Sequence, residues 1–232
     1  MLNRPTLDYL SRATIEIKIY IQEKERGIMM INYLKKYFNR THYIVFDLEF
    51  NQGYRFQNKA YAKTLYDKFN KRPMEIIEIG AVLLNHKFQV KKTFHKFIKP
   101  QIYKDLRPCV SRLTKIDKRI LEAEGIPFNE AFIAFEKWAT QLSNVILCTW
   151  DDIDIQVIKS NMKYHRVNSE LFNYYPTLDI QRVFNKDKRV GLKKALEELN
   201  IPADKQFHRA VDDAYMTAQV FRELNSIVTI AA

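Results

Sequence analysis

From residue 43 onward, the apolar residues fall first into short continuous runs and then into a spacing of three and four. Residues 43–50, YIVFDLEF, are rich in aromatic and β-branched side chains, which predicts a central strand, and EIIEIGAVLL at 75–84 predicts another. KKTFHKFIKP at 91–100 is a shorter third run, ended by Pro100, which has no N–H with which to continue a ladder. These three read as consecutive strands of a meander. Phe128, Phe132, Phe135, Ala139 and Leu142 then share one face of an amphipathic helix over 128–142, with Trp138 beside them in the core. SNVILCTW at 143–150 predicts a buried strand, followed by a helix carrying Ile155 and Ile158, and 178–183 predicts a last strand. Leu192, Ala195, Leu196 and Leu199 mark a helix stopped by Pro202, and Val211, Ala214, Ala218 and Phe221 mark the closing one. The order predicts one mixed α/β domain over 41–232.

Two segments stand apart from that pattern. Residues 51–72 carry Tyr54, Arg55, Phe56, Lys59, Lys63, Lys68, Lys71 and Arg72, and they are too many for an ordinary hairpin. A partly helical insertion is expected there, either a solvated flap or a surface that stacks bases and pairs phosphates. Residues 1–40 form an N-terminal extension in which Ile15, Ile17, Ile19 and Ile21 alternate with polar residues, as an added edge strand would. A second reading starts from Glu25, Arg26 and Gly27, whose codons can spell a purine-rich ribosome-binding sequence just ahead of Met29 and Met30. In a bacterium the native protein would then begin at one of those methionines. Mass spectrometry of the N-terminus decides between the two, because a peptide beginning at Met1 removes the second.

Composition narrows the classes. With 232 residues and 47% apolar side chains the chain can bury a substantial core. Its formal charge of +11, from 38 Lys and Arg against 27 Asp and Glu, favours an anionic partner, either nucleic acid or an anionic membrane surface. No apolar run is long enough to span a bilayer and no secretory signal opens the chain, so a cytoplasmic protein with no membrane partner is expected. Cys109 and Cys148 lack paired zinc spacing and are expected to be small buried residues.

Against this basic background three acidic signals are out of place. Asp47 and Glu49 are two apart in a strand, so both project to the same side of an otherwise apolar segment. Such a pair repels itself and loses hydration unless a cation compensates it, either Arg and Lys or a divalent metal. The second signal is FHRAVDDA at 207–214. In one continuous helix His208 and Asp213 would diverge by about 140° around the axis, whereas with His208 in the loop before the helix both can enter one cleft. The third is Trp150-Asp151-Asp152-Ile153-Asp154, acids directly after a buried strand, one or two of which a helix N-terminus explains without any chemistry.

FDLE (46–49), the acidic cluster ending at Asp154 and HRAVDD (208–213) resemble, in content and order, the three motifs of the DnaQ-like, or DEDDh, exonucleases. PMEIIEIGAVLL (73–84), FIKP (97–100), SRLTKIDKRIL (111–121), PFNEAFIAFEKW (127–138) and GLKKALEELNIP (191–202) are similar to the branch holding bacterial KapD-type proteins and eukaryotic Eri-type RNA exonucleases. The resemblance spans 43–224. It implies a ribonuclease H-like fold, a mixed sheet flanked by helices, and 3′-to-5′ hydrolysis of nucleic acid with two Mg²⁺ or Mn²⁺ ions. The implied metal ligands are Asp47, bridging both ions, Glu49 and Asp213 on the ion that activates water, and Asp154 in support. His208 is the implied general base, its basicity raised by the carboxylates and lowered again by the metals. Leu48 and Phe50 are expected beside the terminal nucleotide and Leu113 against its base. The family often reads Trp-Gly-x-x-Asp where this chain has Asp151, so a shifted register would make Asp151 or Asp152 the ligand instead of Asp154. Single-stranded 3′ ends are the implied substrate, RNA somewhat ahead of DNA. The rival reading is a KapD-type regulatory protein that acts by binding a partner in sporulation signalling; substituting Asp47 and Glu49 would leave such a protein's effect intact.

Overall fold

Three strands open the computed structural model, which describes residues 42–51, 72–142 and 144–230, and two more alternate with its later helices. The expected N-terminal extension and residues 52–71 of the expected insertion lie outside those residues. The strands are β1 (His42–Asn51), β2 (Glu75–Asn85), β3 (Val90–Phe97), β4 (Val145–Thr149) and β5 (Thr177–Asp179). They form one sheet in the order β3-β2-β1-β4-β5. The meander β1-β2-β3 is antiparallel, and β4 and β5 add to it in parallel, giving a mixed sheet.

Period-two alternation divides the core between the two faces of that sheet. Ile44, Phe46 and Leu48 point to one side and pack with α3 (Phe128–Ala139) and α4 (Ile153–Tyr164). Tyr43 and Val45 point to the other and pack with α6 (Ile180–Phe184), α7 (Leu192–Glu198) and α8 (Ala210–Ile230). Trp138 is partly buried against the first cluster, as its place beside the α3 face predicts. Helices on both faces of a mixed sheet are the ribonuclease H-like arrangement expected from the sequence. Among the described residues no helix is long and apolar enough to cross a membrane.

Several expectations change in detail. The strand expected at 178–183 stops at Asp179, and Ile180–Phe184 turn into α6. The Asp179 side chain accepts the Arg182 N–H at 3.0 Å, an N-cap that turns the backbone from ladder to helix. Asn51, assigned to the insertion, is instead the last residue of β1 and fully buried. Cys148 is buried, but Cys109 is exposed at the start of α1 (Pro108–Thr114), a short helix that hydrophobic spacing left unassigned together with α2 (Lys118–Glu124) and α5 (Leu171–Tyr174).

Buried polar side chains fix the elements around the ends of β1 and β2. Asn51 accepts the Arg107 N–H and donates to the Asp105 carbonyl, each at 3.1 Å, which ties the start of α1 to the end of β1. Glu75 receives the N–H groups of Gln101, Ile102 and Tyr103. Asn161 donates to the Met74 carbonyl at 2.7 Å and accepts the Ile76 N–H at 3.3 Å, pinning α4 to the start of β2. Each satisfies backbone groups that would otherwise lose water without replacement.

Candidate active site

Asp47 and Glu49 leave β1 on the α8 side of the sheet, opposite Gly80 and Glu78 of β2. Beyond Glu49 the register shifts, and this bulge turns the end of the strand. Gly80 is what brings α8 to them. A Cβ at that position would overlap the Val211 nitrogen and the Ala210 carbonyl carbon, so only glycine lets the first turn of α8 lie directly on β2. Asp213, in that first turn, then faces Glu49 from across the cleft.

His208 stands before α8 rather than in it, which is the alternative that lets it converge with Asp213. Its backbone is left-handed, with φ of 62°, and its N–H donates to Asp213 Oδ2 at 2.9 Å. Donor atoms of Glu49, His208 and Asp213 all lie within 4.8 Å of one another. Asp154, only 5% exposed at the start of α4, accepts a hydrogen bond from the Leu48 amide.

The carboxylates act on one another as a group. Burial, then Asp154, Asp213, Glu49 and Glu78 in that order, push the Asp47 carboxyl well above its ordinary value. Glu49 is pushed up to about 8, by burial first and then by Asp213 and Glu78, with only Arg209 opposing. Asp213 is pushed up to about 7, chiefly by burial, although the His208 amide pulls the other way. Asp154 is raised well above its ordinary value by burial and then by Asp151 and Asp213. At His208, desolvation lowers the pKa.

The acids in dispute separate cleanly. Asp151 caps the Ile153 N–H at 3.1 Å and pairs with Arg189 at 3.2 Å; Asp152 holds Gln156 at 3.1 Å and also lies 3.6 Å from Arg189. These two gather with Asp179, which is itself paired to Arg182 at 3.3 Å, so that second acidic group has arginines as its counter-ions. Among the described residues the first group has no such ion pair. Asp213 Oδ1 is buried without a hydrogen-bond partner among the described residues, and Arg209 is already forked onto Glu78 through Nη2 at 2.9 Å and Nε at 3.2 Å. Carboxylate oxygens of this kind are the donors that a hard cation takes.

Of the expected nucleotide contacts, Leu48 has its side chain in the core at 4% exposure, so only its backbone faces the cleft. Phe50 is partly buried against the α3 and α4 cluster. Leu113 is 52% exposed on α1, an apolar side chain left in solvent on a helix tied to the end of β1.

The sequence profile of RNase_T, described as exonuclease, matches residues 44–221. The chain belongs to the RNase_T exonuclease family. Two relatives carry the likeness further. Mouse ERI1 exoribonuclease 2 is 28% identical over 192 residues, 67% of this chain and 28% of that protein. The probable 3′-5′ exonuclease KapD of Bacillus subtilis is 27% identical over 152 residues, 64% of this chain and 72% of that protein. The chain therefore spans a little over a quarter of the first relative and most of the second. The fold matches the nuclease domain of 3′hExo, a DEDDh family member solved bound to rAMP, with a TM-score of 0.67 and 20% identity, covering 81% of this chain and 93% of that one.

Neither hydrophobic spacing nor the motifs singled out Glu78, Gly80, His95 or Arg209. The signal present was an acid inside an apolar run, EIIEIGAVLL, and an arginine directly after the motif histidine. Both are informative only once β2 and α8 are known to touch.

Proposed function

We propose that this chain is a metal-dependent 3′-to-5′ exonuclease that hydrolyses the terminal phosphodiester of single-stranded nucleic acid, RNA ahead of DNA. The observation that carries it is the convergence of Asp47, Glu49, Asp154 and Asp213 beside His208, with an oxygen on Asp213 that has no hydrogen-bond partner among the described residues. The four carboxylates would hold two divalent ions, Mg²⁺ or Mn²⁺, whose charge stabilises the attacking and the leaving oxygen of the displacement.

The residues of the chain account for the rest. In the reaction a water oxygen bonds to phosphorus as the bond to the 3′ oxygen of the preceding nucleotide breaks, releasing a nucleoside 5′-monophosphate, and the leaving 3′ oxygen takes a proton from solvent to become the new 3′ hydroxyl. His208 takes the proton of the attacking water. Its lowered pKa keeps the ring neutral and able to accept at neutral pH, and its exposure lets the proton pass on to solvent. The Leu48 and His208 amides hold Asp154 and Asp213 in place, so neither carboxylate must reorganise as charge moves. Leu113 and Phe50 are the apolar surfaces proposed to meet the terminal nucleotide.

RNA is favoured because the mouse relative is called an exoribonuclease and the 3′hExo structure holds rAMP. The test is digestion of matched 5′-labelled RNA and DNA oligonucleotides with Mg²⁺ or Mn²⁺, beside EDTA and an Asp47→Ala, Glu49→Ala variant. A ladder shortening from the 3′ end, lost in both controls and faster on RNA, is expected. Intact substrates from folded, metal-binding protein would overturn the proposal.

A further inference from the structure

Glu78 is an acid with no exposed surface in the middle of β2, and the motif residues do not account for it. Its carboxylate gathers four donors from three places. Arg209 forks onto it through Nη2 at 2.9 Å and Nε at 3.2 Å, the Ala210 N–H donates to its Oε2 at 3.0 Å, and His95 of β3 lies 2.7 Å from its Oε1. The Arg209 guanidinium also lies over the Phe97 ring, 5.3 Å from its centre, which fixes the plane of the fork. Hydrogen bonds outweigh the burial that would raise the Glu78 pKa, and its carboxyl titrates below the ordinary value.

What lies next to this network matters most. Arg209 and Ala210 follow directly on His208, whose left-handed backbone is uncommon for a residue with a Cβ. His208 is held on one side by its own N–H on Asp213 and on the other by the two residues pinned to Glu78.

We propose that Glu78, through Arg209 and Ala210, is a positioning clamp that keeps His208 in its left-handed conformation with the ring in the cleft. It touches neither substrate nor reacting atoms, and its kinetic effect rests on the proposed role of His208 as proton acceptor.

The test has a structural and a kinetic arm, on Glu78→Gln and Arg209→Gln. Hydrogen exchange on the metal-free protein reads the clamp whether or not the chain is active. Protection of the His208 amide is expected to fall about tenfold or more in each variant while the amides of β1 and β4 keep theirs. Unchanged His208 protection overturns the clamp. If Glu78→Gln does not fold, Arg209→Gln carries the test alone, since there Glu78 keeps His95 and the Ala210 amide.

The kinetic arm is a double-mutant cycle with His208→Ala, read on the wild-type protein's best oligonucleotide. Each clamp substitution alone is expected to lower kcat about tenfold or more with KM within about threefold, and to change it less than about twofold once His208 is gone. Costs that multiply in the His208→Ala background, or a metal requirement that rises as kcat falls, would mean that the network acts on the carboxylates and not through His208. An inactive wild type would overturn the exonuclease proposal and leave the exchange result to decide the clamp.

Discussion

At the scale of single residues, the site is a balance between acids that repel and a histidine kept neutral. Removing the His208 ring should lower kcat by about 10²–10⁴-fold, the usual contribution of a positioned base. It should also abolish the acid limb of the kcat profile, which is expected below 6.5 because desolvation lowers the His208 pKa. An acid limb that survives His208→Ala would assign it to another group. Protons and metal compete for the same oxygens: Glu49 titrates at about 8 and Asp213 at about 7, so metal affinity should rise between pH 6 and 8 and then level off. Calorimetry in two buffers of different ionisation enthalpy would register the protons released on binding. Zero release at pH 7 would argue against these two carboxylates as donors.

At the scale of elements, the decisive contact is between β2 and the first turn of α8. Gly80→Ala places a methyl group where the α8 backbone runs, and backbone cannot swing aside as a side chain does. The cost should be about 1–3 kcal/mol or more in unfolding free energy, the range for an overpacked site. Activity and metal affinity should fall well beyond that, because Asp213 and His208 both ride on α8. Denaturant titration beside metal binding separates the two effects; native metal affinity in Gly80→Ala would show that α8 docks without the glycine. The α3 face is simpler, since Phe128, Phe132 and Phe135 are fully buried at the spacing their sequence predicts. The Pro108–Thr114 and Lys118–Glu124 helices escaped the same reasoning because the first buries only Val110 and Thr114 and the second only Leu121, too few apolar positions for a periodicity to show.

For the molecule as a whole, the acidic cleft makes stability depend on pH. Asp47, Glu49, Asp154 and Asp213 all have folded pKa values raised above their ordinary ones, so the folded state binds their protons more tightly than the unfolded state does. Their contribution is present below about 4, where both states are protonated, and is lost as pH rises through the folded values, near 7 for Asp213 and 8 for Glu49. Glu78, lowered, works in the opposite sense and stabilises above its ordinary value. Over pH 6 to 8.5 Glu78 is ionised in both states and the raised carboxylates set the slope, so the melting temperature of the metal-free protein should fall, and Mn²⁺ should remove most of that fall. A melting temperature that climbs over this range without metal would mean that the carboxylates are not held charged against one another. The formal charge of +11 adds a sequence-independent attraction to phosphates, so affinity for any oligonucleotide should drop steeply between about 0.05 and 0.3 M salt. A flat salt response would locate binding in contacts to bases and sugars instead.

The sequence by itself determined the opening meander, the faces that became the core and, through its motifs, the family, because periodicity and motif spacing are local properties that survive without knowing who packs against whom. It also posed the right question about His208, helix or loop, without answering it. Only the tertiary structure could separate Asp154 from Asp151 and Asp152, since the difference lies in burial beside Leu48 against pairing with Arg189. The same holds for Glu78 and Gly80, more than 120 residues from Arg209 and Val211, whose roles exist only where β2 meets α8. An acid inside an apolar strand and a glycine beside it are ambiguous in one dimension. Their partners are brought to them by chain distant in sequence, and it is those contacts that decide whether a buried charge is balanced and whether a helix can approach.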